Sequence, residues 1–237
     1  MNDRVRWVFG FCVALSLTMI AVALHRWGAA EVRTHVSEIL LLTGGGAVWL
    51  ILATKLFPWL GLSVHDDAVE RRNVAALVAL SGAILAVAII YAGGSLGEGP
   101  SYLNNLFSAT LGTTGWLVLW VLLELGSNVS KSIAEERDLA SGLRLCAFLV
   151  AVALVLGRAV AGDWHSETAT LHDFVRDGWP AAPLCGIALI IERFARPSRR
   201  RPFPAWSIYG LLPALLYLSL ATNWLCHIGL WEGKPGW

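Results

Sequence analysis

Glu70-Arg71-Arg72-Asn73-Val74-Ala75-Ala76-Leu77, continuing through Ala79-Leu80-Ser81-Gly82-Ala83 to Ile90, is the stretch that decides the fold. A charged joint gives way at Asn73 to an apolar block, residues 74–92, that contains no Asp, Glu, Lys or Arg. An uninterrupted apolar run of about 18 residues or more reads as a membrane-spanning helix. The rest of the chain is built in the same way. Its 237 residues are 56% hydrophobic and 15% charged, with a mean hydropathy of +0.61. A soluble domain carries about 25% charged residues, so this composition argues against an ordinary water-soluble enzyme. It also excludes disorder, collagen and coiled coil. A net charge of +1 gives no reason to expect a nucleic-acid partner.

Outward from this block, six more apolar blocks follow the same pattern, at residues 7–24, 38–60, 103–125, 143–161, 179–191 (extending to 195) and 206–231. At about 1.5 Å per residue, each except the sixth covers the roughly 30 Å of bilayer hydrocarbon. The sixth opens on Pro180 and Pro183 and closes on Glu192-Arg193, and is read as a span because prolines are tolerated in a first helical turn. The first block is too long for a signal-peptide core and is read as an uncleaved helix. The expected fold is an all-α, seven-span transmembrane bundle. Its expected segments are residues 1–37 (first helix and outer loop), 38–162 (four spans) and 163–237 (an outer loop and two further spans).

Lys and Arg fall unevenly on the two sides of this topology. Arg4, Arg6, Lys55, Arg71, Arg72, Lys131, Arg137, Arg144, Arg193, Arg196, Arg199, Arg200 and Arg201 make 13 on one side. Arg26, Arg33, Arg158, Arg176 and Lys234 make 5 on the other. The positive side is cytoplasmic, which predicts an inner-membrane protein with its N-terminus inside and its C-terminus periplasmic. Trp7, Trp27, Trp59, Trp164, Trp179, Trp206 and Trp231 fall at span ends, where an interfacial aromatic belt belongs.

Arg72-Asn73-Val74-Ala75-Ala76-Leu77 aligns with Arg137-Asp138-Leu139-Ala140-Ser141-Gly142, each after an acidic turn. Upstream, Gly46-Ala47-Val48-Trp49-Leu50 resembles the segment from Gly112 to Trp116 and Leu117. The repeat unit is therefore a helix pair, spans two and three and then four and five. Two crossings per unit make the copies parallel rather than inverted.

The same residues carry a family resemblance. Asn73-Val74-Ala75-Ala76 with Ser81-Gly82, and the second copy Val129-Ser130-Lys131-Ser132-Ile133 through Ala140-Ser141-Gly142, resemble a bacterial inner-membrane family of tandem copies. That family is domain of unknown function 350, the YjfL-like proteins. The resemblance covers about residues 38–162. This chain departs from the pattern at Asp138-Leu139 and in the spans after residue 163. The resemblance implies a fold and a location, and no reaction.

Several positions are candidates for more than packing. Gly44, Gly45 and Gly46 in one span, and Gly112, Thr113, Thr114 and Gly115 in another, sit at corresponding repeat positions. Glycine in a helix costs about 1 kcal/mol relative to Ala, so these mark either a broken helix at a transport site or close packing. Ser81 and Gly82, and the four-residue spacing of Ala75, Ala79 and Ala83, belong to the same small-residue pattern. Glu124 and Arg158 are ionisable groups about a turn inside their spans, where charge is expensive. Arg158 has Glu98 or Asp163 as candidate partners. Asn73 and Asp138 are N-cap residue types, each preceded by an arginine. Together with Glu124 they suggest a charge cluster of Arg72, Asn73, Glu124, Arg137 and Asp138 that fixes the two copies or gates a path.

No cofactor is expected. His165 and His172 with their neighbouring carboxylates match no tight ligand spacing, and His227 is the only histidine within a span. No P-loop, nucleophile elbow, H-E-x-x-H or dinucleotide fingerprint is present, so the chain is not expected to be an enzyme. Cys12, Cys146, Cys185 and Cys226 read as buried packing thiols. Two functions remain: a small-solute or ion transporter or channel subunit, and a structural or regulatory subunit whose basic joints dock a soluble cytoplasmic partner. The expected partners are the lipid bilayer and a second copy or another membrane subunit.

Overall fold

The computed structural model describes residues 2–197 and 205–229. Arg199, Arg200, Arg201, Trp231 and Lys234, all used above, lie outside the described residues. The described chain is helical throughout, with a single isolated bridge, Gly28 to Gly97. The long helices are α1 (Asn2–Trp27), α3 (Val36–Thr54), α4 (Val74–Gly94), α5 (Tyr102–Ser127) and α7 (Leu139–Ala159), with α10 (Leu212–Ile228) extended backwards by a π-helical turn, Ser207–Leu211. Shorter helices are α2 (Ala30–Thr34), α6 (Val129–Ala134), α8 (Glu167–Gly178) and α9 (Ala181–Ala195).

Six of these are long and apolar enough to cross a membrane: Val5–Trp27, Val36–Thr54, Val74–Gly94, Tyr102–Ser127, Leu139–Ala159 and Ser207–Ile228. The sixth expected span differs from its sequence reading. Helix α9 has 15 residues, about 22 Å at 1.5 Å per residue, short of the roughly 30 Å core. It reaches spanning length only together with α8, to which it is joined by a 41° bend. The sequence reading placed residues 163–178 in an outer loop. Of these, Glu167–Gly178 form a helix because Ser166 caps it, its hydroxyl accepting from the Ala169 amide at 3.1 Å. The bend falls at Pro180, which has no amide hydrogen to continue the ladder. The second block also breaks early. Helix α3 stops at Thr54, and Pro58 sits in the first turn of a separate 3₁₀ helix, Phe57–Leu60.

Helices α4 and α7 form the centre. In each, 72% of the apolar window is buried, against 17–39% for the other four spans. They run parallel, because their contacts rise together along both chains: Gly142 against Ala75, Gly82 against Cys146, and Gly93 against Gly157. Both are 21 residues long. Their ends and their caps are offset by the same 65 residues, 74 to 139, 94 to 159 and 73 to 138. The approach to each helix is also the same. Asn73 N–H donates to the Asp67 carbonyl at 3.1 Å, and Asp138 N–H to the Ser132 carbonyl at 3.0 Å. Arg72 and Arg137 both hold φ of 53°, a left-handed conformation uncommon for a side chain with a Cβ. The turn before the first is π-helical, Val64–Glu70, and that before the second is α6.

Candidate functional site

At the capped end of the bundle, Asn73 Oδ1 accepts from the amides of Ala75 and Ala76 at 3.0 and 3.2 Å, satisfying two of the orphan donors of α4. Its Nδ2 donates across to the Ile133 carbonyl at 2.6 Å, tying the start of α4 to α6. Asp138 accepts from the amides of Ala140 and Ser141 at 3.3 and 2.8 Å. Glu124 does not join the arginines. It accepts from the Ser130 amide at 3.0 Å and from the Ser130 hydroxyl at 2.6 Å, closing the joint between α5 and α6. Among the described residues neither Arg72 nor Arg137 has a carboxylate within 4.0 Å, and both are exposed. The five residues therefore occupy one end of the molecule as two caps, one joint and two solvent-facing cations. Asn73→Ala is expected to destabilise the protein by about 2 kcal/mol, about 1 for the cap and about 1 for the buried carbonyl left without its donor. Thermal unfolding in detergent checks this, with Asp138→Glu, which keeps a capping oxygen, as the milder comparison.

One turn further into α7 lies a charge network that the sequence reading passed over. Arg144 is fully buried and Glu192 of α9 is 2% exposed. The guanidinium meets the carboxylate as a fork, Nε to Oε1 at 2.6 Å and Nη2 to Oε2 at 2.8 Å. Nη1 donates to the Tyr209 carbonyl at 2.5 Å, and Nη2 to the Ser141 hydroxyl at 2.9 Å. That hydroxyl donates in turn to Asp138 at 2.7 Å. A continuous chain runs from the α7 cap to α9 and to the start of α10. The available signal was an Arg and a Glu at the edges of two apolar blocks. Counting Arg144 only as a joint cation obscured it.

At the other end of α7, Arg158 is 6% exposed. It pairs with neither Glu98 nor Asp163. Its Nε donates to the Gly229 carbonyl at 2.9 Å, and its Nη2 reaches the Ile228 carbonyl at 3.5 Å. Arg144 and Arg158 are 14 residues apart, close to four turns at about 3.6 residues each, so they share a face of α7. That face holds α10 by its first turn and by its last.

The mid-span small residues serve contact. Helices α3 and α5 run without interruption through Gly44-Gly45-Gly46 and Gly112-Thr113-Thr114-Gly115, so neither is a broken helix. A Cβ on Gly46 would meet the Tyr91 ring at 3.0 Å, one on Gly112 the Ile90 side chain at 2.7 Å, and one on Gly115 the Phe174 ring at 2.9 Å. Gly44 has nothing within 4 Å. Thr113 accepts from the Trp49 indole at 3.1 Å, joining α5 to α3, while Thr114 is exposed. Gly82 lies against Cys146, and Ser81 is half-buried beside it, its carbonyl near the Cys12 thiol at 3.5 Å.

Two further features lie outside the spans. His65, Asp66 and Glu70 bring three ligand-type atoms within 4.8 Å of one another, all exposed. The Ser63 hydroxyl, and then His65, hold the Asp66 carboxyl below its usual range. This is the arrangement of a hydrogen-bonded surface turn. At the C-terminal ends of α4 and α7 there is an open cavity of about 800 Å³ lined by Arg26, Arg33, Arg158 and Arg176 among others.

The family model described as Domain of Unknown Function (DUF350) matches residues 31–160. That is more than half of the chain. The chain belongs to the DUF350 family. No curated protein and no solved structure matches it. The DUF350 segment contains the α4–α7 core, both capped starts and both buried arginines of α7. Apart from Ser141, the partners of those arginines, Glu192, Tyr209, Ile228 and Gly229, lie beyond it.

Proposed function

We propose that this DUF350 protein is a structural or regulatory subunit of the bacterial inner membrane, neither an enzyme nor a conduit by itself. Its capped end faces the cytoplasm and its C-terminus the periplasm. The thirteen-to-five distribution of Lys and Arg supports that orientation. The common 65-residue offset of helix ends, caps and left-handed arginines supports a tandem parallel repeat, with α4 and α7 as equivalent helices about an axis along the bundle.

One observation carries the non-conducting reading. The line between α4 and α7, where a path between two repeats would run, is closed by small residues in backbone contact, Gly93 upon Gly157 and Gly142 upon Ala75. Two polar side chains within the spans pair away from that line, Thr113 with Trp49 and Arg144 with Glu192. The exposed Lys55, Arg71, Arg72, Lys131, Arg137 and Arg193 suit docking of an acidic soluble partner at the capped end. A transporter reading is favoured by one feature, the intramembrane Arg144–Glu192 pair, and would place the path between α7 and α9.

Flux separates the two. Proteoliposomes holding the purified chain are expected to pass potassium, chloride and protons no faster than empty liposomes. A gradient that collapses in the presence of protein, and survives with Glu192→Gln, would establish a path at the Arg144–Glu192 pair and overturn the structural reading.

A further inference from the structure

We infer that the cavity at the C-terminal ends of α4 and α7 is a binding site for a phosphate-type oxyanion. Five cations lie on the side of the sequence topology opposite the capped end, and four of them, Arg26, Arg33, Arg158 and Arg176, line this one cavity. They come from four segments: α1, α2, α7 and α8. Gathering like charges from separate elements is unfavourable unless an anion compensates them.

The carboxylates that also line the cavity are occupied by the protein. Asp163 accepts the Glu98 amide at 2.8 Å, and Asp173 pairs with Arg176 at 3.0 Å. Glu98 turns its carboxylate to the Ala30 amide at 3.5 Å. Arg176 is further held by Asp177 at 2.8 Å. Arg26, Arg33 and Arg158 have no carboxylate within 4.0 Å among the described residues.

These three are not alike. Arg158 is buried and fixed by its bond to the Gly229 carbonyl, a neutral acceptor. Arg26 and Arg33 are exposed and can close over a ligand from the α1–α2 side. Guanidinium groups present planar forks of donors that match oxyanions. Three such groups, with the Ser108 hydroxyl also on the wall, surround a space that suits an oxyanion. The phosphate belongs either to a small soluble anion or to a phospholipid headgroup, since the cavity lies at a span end. The inference holds whether or not the core conducts.

The test uses the full chain, delipidated in detergent, with Arg26→Gln/Arg33→Gln as the variant and Arg33→Gln alone as a second. Both side chains are exposed, so unliganded melting temperatures are expected to match wild type. Radiolabelled orthophosphate is measured by equilibrium dialysis. Phosphatidylglycerol added back to the delipidated protein is counted by native mass spectrometry after gel filtration. Binding of orthophosphate identifies a soluble ligand, and retention of phosphatidylglycerol without orthophosphate binding identifies a headgroup. In either arm the double variant is expected to bind at least about tenfold more weakly. A wild type that binds neither probe, or a folded double variant that binds as wild type does, overturns the assignment.

Discussion

Replacing Arg144 by leucine is expected to destabilise the protein by about 3–5 kcal/mol, because it strands the Glu192 carboxylate in the interior. Glu192 is 2% exposed and its two oxygens are taken up by one guanidinium, so no other cation stands ready to compensate it. Glu192→Leu is expected to fall short of that loss. Arg144 would keep the Tyr209 carbonyl and the Ser141 hydroxyl, and Ser141 keeps Asp138 behind it. The double change Arg144→Leu/Glu192→Leu is expected to recover more than half of the Arg144→Leu loss, since a buried pair replaced by apolar groups is often near neutral. Arg144→Lys retains the charge and loses the fork, and belongs between the wild type and Arg144→Leu. Thermal unfolding in detergent, followed by the many tryptophans, ranks the four. If the double variant is as unstable as Arg144→Leu, the bond to the Tyr209 carbonyl that starts α10 is the larger contribution.

The same network shows how far the sequence could be read. Spans are legible wherever hydrophobic length decides, and five blocks became continuous helices of spanning length. The first turn of α10 is likewise present, although it is π-helical. Length failed at α8 and α9, where spanning length is reached only by a polar, capped helix and a shorter apolar one joined at a proline bend. Loop charges gave a side to each cation, but Arg144 lies one turn inside the span. Whether a cation there faces lipid headgroups or a buried carboxylate depends on which helix packs beside it, a tertiary fact. The left-handed Arg72 and Arg137 were illegible for another reason. Positive φ is ordinarily signalled by Gly or Asn, and nothing local marks an arginine for it. The glycines announced close approach without naming the neighbour. Gly46 and Gly112 face Tyr91 and Ile90 of α4, not each other.

Alanine in place of Gly93 is expected to have an effect comparable to losing Arg144, by a wholly different route. A Cβ there would overlap the Gly157 carbonyl group, coming within 2.8 Å of its carbon. The obstacle is helix backbone, which cannot rotate aside as a side chain can. Relief requires α4 and α7 to separate along their shared face, and both are the most buried helices of the bundle. Overpacking a dense core typically costs about 1–3 kcal/mol and more where the backbone must move; in a bilayer, where packing rather than hydrophobicity drives helix association, close approach is most of what is lost. The same substitution at Gly157 meets the Ile89 carbonyl at 3.1 Å, a contact that yields by a few tenths of an ångström, and belongs well below Gly93→Ala. At Gly44, with nothing within 4 Å, alanine should stabilise the protein by up to about 1 kcal/mol through helix propensity. One chemical change thus has a graded effect set only by what each glycine faces. A Gly93→Ala protein that unfolds at the wild-type temperature would mean that α4 and α7 do not touch there, and the closed axis on which the non-conducting reading rests would have to be given up.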